Sequence, residues 1–237
     1  MIYYDYPVSV RYSDLTEDNC LSDTAILDMM QEAALVNDPC ETGTPETQTN
    51  VWVLCGWKFR VYRRPGWEER LTVRTWLRGM AHHTCDRDFI ITDETGEKVV
   101  SATSRWLLLD CATGKVANVT DEILRLYAFS NERALDEDIP DGKGSAEGAK
   151  CVLSYTVMRR DIDTLHHMNN IHYLTLAREA LPAELSLHHF ENIEIIYKRQ
   201  IKLGETVHFC YSSVEGKHLV EVMDSEECTS HALIRFF

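Results

Sequence analysis

Residues 14–34, DLTEDNCLSDTAILDMMQEAA, and residues 161–181, DIDTLHHMNNIHYLTLAREAL, are two versions of one phrase. Set 147 residues apart, Asp14 meets Asp161, Leu15 meets Ile162, Leu27 meets Leu174, Glu32 meets Glu179 and Ala33 meets Ala180. Each phrase follows a strand-like run and precedes about four more. A single repeat of this length is no solenoid. It indicates duplication of one α+β unit, with a helix laid on an antiparallel sheet.

Periodicity fills in the unit. Residues 22–37 place Ile26, Met29, Met30, Ala33 and Ala34 at helical spacing, with Ser22 or Asp23 as cap. Residues 169–181 repeat the pattern and stop near Pro182. Strands are predicted at 8–13, 51–63, 69–79, 84–93 and 98–110, then at 151–160, 190–201, 205–213, 218–224 and 228–237. A turn-rich stretch is predicted at 38–50 and a short helix at 120–128. The domains are therefore 1–128 and 151–237, joined by a linker at 129–150 that has no apolar period.

The two phrases differ in their chemistry. Thr16 stands where Asp163 stands, Cys20 where His167 stands, Ser22 where Asn169 stands and Asp23 where Asn170 stands. Only the second copy carries a carboxylate and an imidazole ahead of the helix. The first amides of a helix lack internal acceptors and sit at the positive end of its dipole. They polarise a carbonyl, while a carboxylate activates water and an imidazole delivers a proton. The same residue types also serve as plain caps and turn formers. His166 is expected to point outward and His172 to pack or face solvent. The histidine pairs at 82–83 and 188–189 lack the spacing of a metal site, and neither metal nor cofactor is expected.

A formal charge of -14 argues against general nucleic-acid binding. One window dissents. Lys58, Arg60, Arg63, Arg64, Arg70, Arg74 and Arg78 face only Glu68 and Glu69 between them, which suits either a solvated strand face or an acidic partner. The eight cysteines form no CxxC pair and are expected as free thiols, mostly small core residues. No apolar run approaches ~18 residues and the first ten lack the plan of a signal peptide, so no membrane span and a cytoplasmic location are expected.

The phrase DIDTLHHMNNIHYL resembles the D-x-D-x-x-x-H-x-N-N-x-x-Y motif of hotdog-fold thioesterases, and the wider chain is similar to plant and bacterial acyl-acyl-carrier-protein thioesterases. The likeness runs through VWVLCGWKFRVYRRPGWEERLTVRTWLRG and covers about 9–124 and 151–237. It implies a double hotdog, each half an antiparallel sheet wrapped around a central helix, with the first half non-catalytic and shaping the acyl pocket. It implies hydrolysis of fatty acyl-acyl carrier protein, a step of fatty acid biosynthesis. An acyl-CoA thioesterase and a non-catalytic acyl-binding hotdog protein are the alternatives. By resemblance Asp163 and His167 are catalytic, with amides near Met168 and Asn169 as the oxyanion site. Leu165 and Gln200 stand where plant-like members carry asparagine and glutamate, which leaves Gln200 an accessory polar group. The acidic carrier would dock on Arg60, Arg63, Arg64, Lys198 and Arg199, with Arg159, Arg160 and Lys202 extending the surface. The assembly implied is a monomeric pseudo-dimer or a homodimer.

Overall fold

The computed structural model describes residues 2–39, 49–139 and 148–237. The middle of the turn expected at 38–50 and of the linker expected at 129–150 lies outside these. The chain divides into two compact units, Met1–Ile139 and Pro140–Phe237.

The first unit contains β1 (Tyr4–Ser9), α1 (Asp23–Val36), β2 (Asn50–Val61), β3 (Arg70–Ala81), β4 (Thr84–Asp93), β5 (Lys98–Asp110) and a single helical turn, α2 (Asp121–Leu124). Its sheet runs β1-β3-β4-β5-β2, with antiparallel pairing throughout. Helix α1 starts where the Ser22 hydroxyl accepts the Ala25 amide at 3.2 Å. It buries Ile26, Leu27, Met30 and Ala33 and packs on β1 and β3. Inward residues of the strands supply Trp57, Phe59, Trp76 and Phe89, all essentially out of solvent. Burying side chains of this size stabilises by roughly 1.5–3 kcal/mol each.

The second unit contains β6 (Lys150–Thr156), α3 (Asn170–Glu179), β7 (Asn192–Tyr197), β8 (Thr206–Val214), β9 (Lys217–Asp224) and β10 (Ser230–Phe236). Its order, β6-β8-β9-β10-β7, is that of the first unit with each strand advanced by five. Helix α3 buries Tyr173, Leu174 and Ala177 against a core that includes Phe209, Leu233 and Phe236.

Three expectations change. The opening strands of both units end early, β1 at Ser9 and β6 at Thr156. In each case a buried aspartate stops the strand: Asp14 accepts the Arg11 amide at 2.8 Å and Asp161 the Met158 amide at 2.8 Å, closing a 3₁₀ turn. The helix expected at 120–128 is one turn, because Tyr127 leaves it to donate to Asp38 at 2.6 Å and accept from the Trp52 indole at 3.2 Å. Cys151 and Cys210 are not free; they lie opposite one another on β6 and β8 and form a disulfide. Burial pushes the Cys55 thiol up to about 11 and raises that of Cys85 as well, which suits packing residues. Among the described residues no helix is long and apolar enough to cross a membrane.

Candidate active site at the start of the second long helix

Residues 163–167 form a tight turn. Ile162 and Met168 pair as an antiparallel bridge. The Asp163 amide donates to the His167 carbonyl at 2.9 Å, and the His166 amide donates to the Asp163 carbonyl at 3.1 Å. His166 takes a φ of +64°, the left-handed conformation the reversal requires, and is exposed. The Asp163 carboxylate completes the turn from within: Oδ1 accepts the Leu165 amide at 2.8 Å and the His167 amide at 3.3 Å. Its Oδ2 has no hydrogen bond among the described residues. His167 is half-buried, and its Nδ1 is enclosed without a partner. The two side chains neither pair nor hydrogen-bond with each other among the described residues, so one turn holds two separate functional atoms without hydrogen-bond partners, Asp163 Oδ2 and the buried His167 Nδ1.

Helix α3 begins directly after. Asn169 is its cap, with Oδ1 accepting the Ile171 amide at 3.1 Å. The amides expected to polarise a carbonyl are engaged elsewhere: Met168 donates to the Ile201 carbonyl and Asn169 to the Asp161 carbonyl, both at 2.8 Å. The next amide along is that of Asn170. It is the first residue of α3, and its N–H has no acceptor within the helix. Gln200 is exposed and immediately precedes Ile201, so its backbone adjoins the residue after His167. Asp161, the first aspartate of the phrase, is buried and spent on the Met158 amide and the Tyr155 hydroxyl.

The first unit builds the same frame with different side chains. Thr16 donates to the Cys20 carbonyl at 2.9 Å, Ser22 to Asp14 at 2.9 Å and Leu21 to Pro65 at 2.8 Å, while Asn19 takes a φ of +61°. These bonds equate Pro65 with Ile201, and hence Arg64 with Gln200 and Val61 with Tyr197. Arg64 donates to the Leu21 carbonyl at 2.9 Å and to Asp23 Oδ1 at 2.5 Å, with side chains 7% and 2% exposed. A buried ion pair therefore occupies the start of α1, where the second unit has neutral Gln200 and Asn170.

That pair also removes Arg64 from the expected docking surface. Arg63 is held by Glu69 at 2.9 Å and Asp93 at 2.8 Å, and Arg60 by Glu137 at 3.0 Å. Arg74 pairs with Asp5 and Arg78 with Asp86 and Asp138. Hydrogen bonds from Thr95, with Arg63 alongside, hold Asp93 down at about 2. Burial works against Asp86, yet Arg105 and Arg78 keep it below the usual carboxylate value. Arg60, Arg63, Arg64, Arg74 and Arg78 of the basic window are thus each paired with a carboxylate. In the second unit Lys198 meets Glu221 at 3.4 Å. Arg159, Arg199 and Lys202 are exposed and have no carboxylate within 4.0 Å among the described residues. The Val157 amide on Glu205 and the Gly204 amide on Val157, each at 2.9 Å, set residues 202–205 beside 157–160. Exposed Met158 and Leu203 lie on these same segments, and exposed Leu165 lies in the 163–167 turn. In the first unit a cavity beside α1 is lined by Trp52, Leu77, Met80 and Trp106 together with Arg87 and Tyr127.

Profiles of the acyl-ACP thioesterase N-terminal and C-terminal domains match residues 4–127 and 144–234. The oleoyl-acyl carrier protein thioesterase 2 of Arabidopsis thaliana, a chloroplastic protein, is 27% identical over 170 residues, which is 66% of this chain and 46% of that protein. The chain spans about half the length of the curated relatives it matches. An acyl-ACP thioesterase from Bacteroides thetaiotaomicron superposes with a TM-score of 0.86 at 20% identity, over 99% of this chain and 97% of the other. The 12:0-ACP thioesterase of Umbellularia californica gives 0.85 at 22%, over 99% and 96%. Both likenesses establish the double hotdog fold.

Proposed function

This chain belongs to the acyl-ACP thioesterase family, and on that premise we propose that it hydrolyses the thioester joining a fatty acyl chain to acyl carrier protein. Water adds to the acyl carbon, the C–S bond breaks, and the products are a free fatty acid and the carrier's thiol. The observation that carries this proposal is the Asp163–His167 turn. One carboxylate oxygen is fixed by two amides while the other stays open, directly ahead of a helix start with an unclaimed amide. Asp163 acts as base or nucleophile. His167 orients the thioester and protonates the leaving sulfur. The Asn170 amide receives the developing oxyanion, with the helix dipole behind it. Asn169 contributes as the cap that fixes this geometry, and Gln200 as an accessory polar group. The first unit shapes the acyl pocket and performs no chemistry, because the Arg64–Asp23 pair fills its corresponding position.

The acidic carrier docks on the second unit. Lys198 and Arg199 stay in the docking set, joined by Arg159 and Lys202, whose charges have no internal partner to lose among the described residues. Exposed Met158 and Leu203 supply apolar contacts beside those charges. The cytoplasmic location and the choice between monomer and homodimer complete the proposal; fractionation and sedimentation test them. The reaction itself is tested by thiol release from acyl chains of several lengths, each presented on the carrier protein and on coenzyme A. A higher kcat/KM on the carrier is expected. Equal values on both would make the chain an acyl-CoA thioesterase, and tight acyl binding without thiol release would make it a binding protein.

A further inference from the structure

The internal repeat supplies a control for every side chain around the site. At the position of Tyr173 the first unit has Ile26, and at that of Tyr197 it has Val61; both are buried and apolar. A hydroxyl in such a place costs free energy unless it is bonded. Both are. The Tyr197 hydroxyl donates to the Asn170 carbonyl at 3.0 Å, and the Tyr173 hydroxyl donates to the Arg199 carbonyl at 3.4 Å. The rings meet edge to face with centroids 5.3 Å apart. One hydroxyl thus grips the residue bearing the unclaimed amide. The other grips the peptide joining Arg199 to Gln200.

The first unit must hold the same two segments together, and it does so with Arg64. That guanidinium reaches from the Gln200-equivalent position to the Leu21 carbonyl and to Asp23 at the start of α1. A tie of this kind occupies the space in front of the helix. A unit that admits substrate there needs the segments joined from the buried side instead. We propose that Tyr173 and Tyr197 are a pair of positioning residues that fix the Asn170 peptide and the Gln200 segment relative to each other during turnover. Burial raises both phenols above their ordinary value, so they stay protonated donors throughout the working pH range.

The inference rests on the hydrolase proposal, and its test separates the two. Tyr173→Phe, Tyr197→Phe and the double variant keep the rings and remove only the hydroxyls. Three quantities are read: kcat and KM on carrier-linked and small acyl thioesters, the thermal midpoint, and backbone amide exchange at 168–171 and 199–201. Misplacing reacting groups by a fraction of an ångström predicts a kcat loss of about tenfold in the double variant, the same on both substrates, with KM within about twofold. Exchange should quicken only in those two segments while the midpoint stays near that of the parent. An unchanged kcat in the double variant, a loss confined to KM, or a loss that follows the midpoint would overturn the proposal. If the parent releases no thiol at all, the hydrolase proposal fails and exchange alone decides: local quickening supports the positioning role, and unchanged exchange refutes it.

Discussion

Asp163 and His167 belong to one short turn but should respond to mutation differently. Asp163 holds the turn through two accepted amides, a task an asparagine oxygen also performs. Asp163→Ala should therefore lose about 1–3 kcal/mol of stability by orphaning amides, whereas Asp163→Asn should unfold at nearly the parental denaturant midpoint. His167 offers a buried nitrogen with no partner, so His167→Ala removes no hydrogen bond. We expect kcat to fall by about 10² or more with the melting curve unmoved; a loss of folding in step with activity would contradict that role. Arg64 should show the reverse. Its removal breaks the buried ion pair with Asp23, and Arg64→Ala should lower stability by about 3–5 kcal/mol rather than raise KM. Urea unfolding of the purified variant distinguishes the two outcomes. At low pH, Asp86 and Asp93 govern part of the stability. Their folded values are depressed, so the contribution is fully present above the unfolded value of about 4 and is lost as pH falls through the lower folded value, about 2 for Asp93. Asp86→Asn should flatten the acid limb of stability against pH; an unaltered limb would mean Arg78 and Arg105 do not stabilise that charge.

Among the elements, the helices and most strands were legible because their signals are local. Alternating Val, Trp and Phe from 51 to 61 and the helical spacing of Ile26, Met30 and Ala33 need no distant partner to be read. The ends of β1 and β6 were not legible: an aspartate accepting an amide three residues earlier is indistinguishable in sequence from a polar residue on a strand face. The engagement of the helix-entry amides was not legible for a related reason. The amides of Met168 and Asn169 look free at a helix start until the fold brings Ile201 and Asp161 to them. The Cys151–Cys210 bond likewise depends on the register of β6 against β8. Tyr173 stands against Ile26 at the 147-residue offset, but the partner of Tyr197, Val61, is set only by the backbone bonds of the fold. The start of α3 leans on its cap, and Asn169→Ala should cost about 1 kcal/mol and lower kcat as the first turn frays. Stability measured beside turnover tests this, and a gain in either would be inconsistent with the capping role.

For the molecule as a whole, duplication has produced two equal frames with unequal chemistry. In the first unit Arg60, Arg63, Arg64, Arg74 and Arg78 pair with internal acids, whereas in the second Arg159, Arg199 and Lys202, near the candidate site, have no carboxylate within 4.0 Å among the described residues. In a protein of net charge -14, such a patch would give the proposed acidic carrier a favourable approach. Reversing those three charges should raise KM for the carrier-linked substrate about tenfold, leave a small acyl thioester unaffected, and weaken the dependence on salt. Equal effects on both substrates would remove the docking surface. The sharpest test of the central claim is single-turnover thiol release from an acyl chain on its carrier protein, comparing the parent with Asp163→Asn. We predict rapid release by the parent and a variant slower by about 10² or more that still binds the substrate. Release by the variant at the parental rate would mean that the carboxylate at 163 does not drive the reaction.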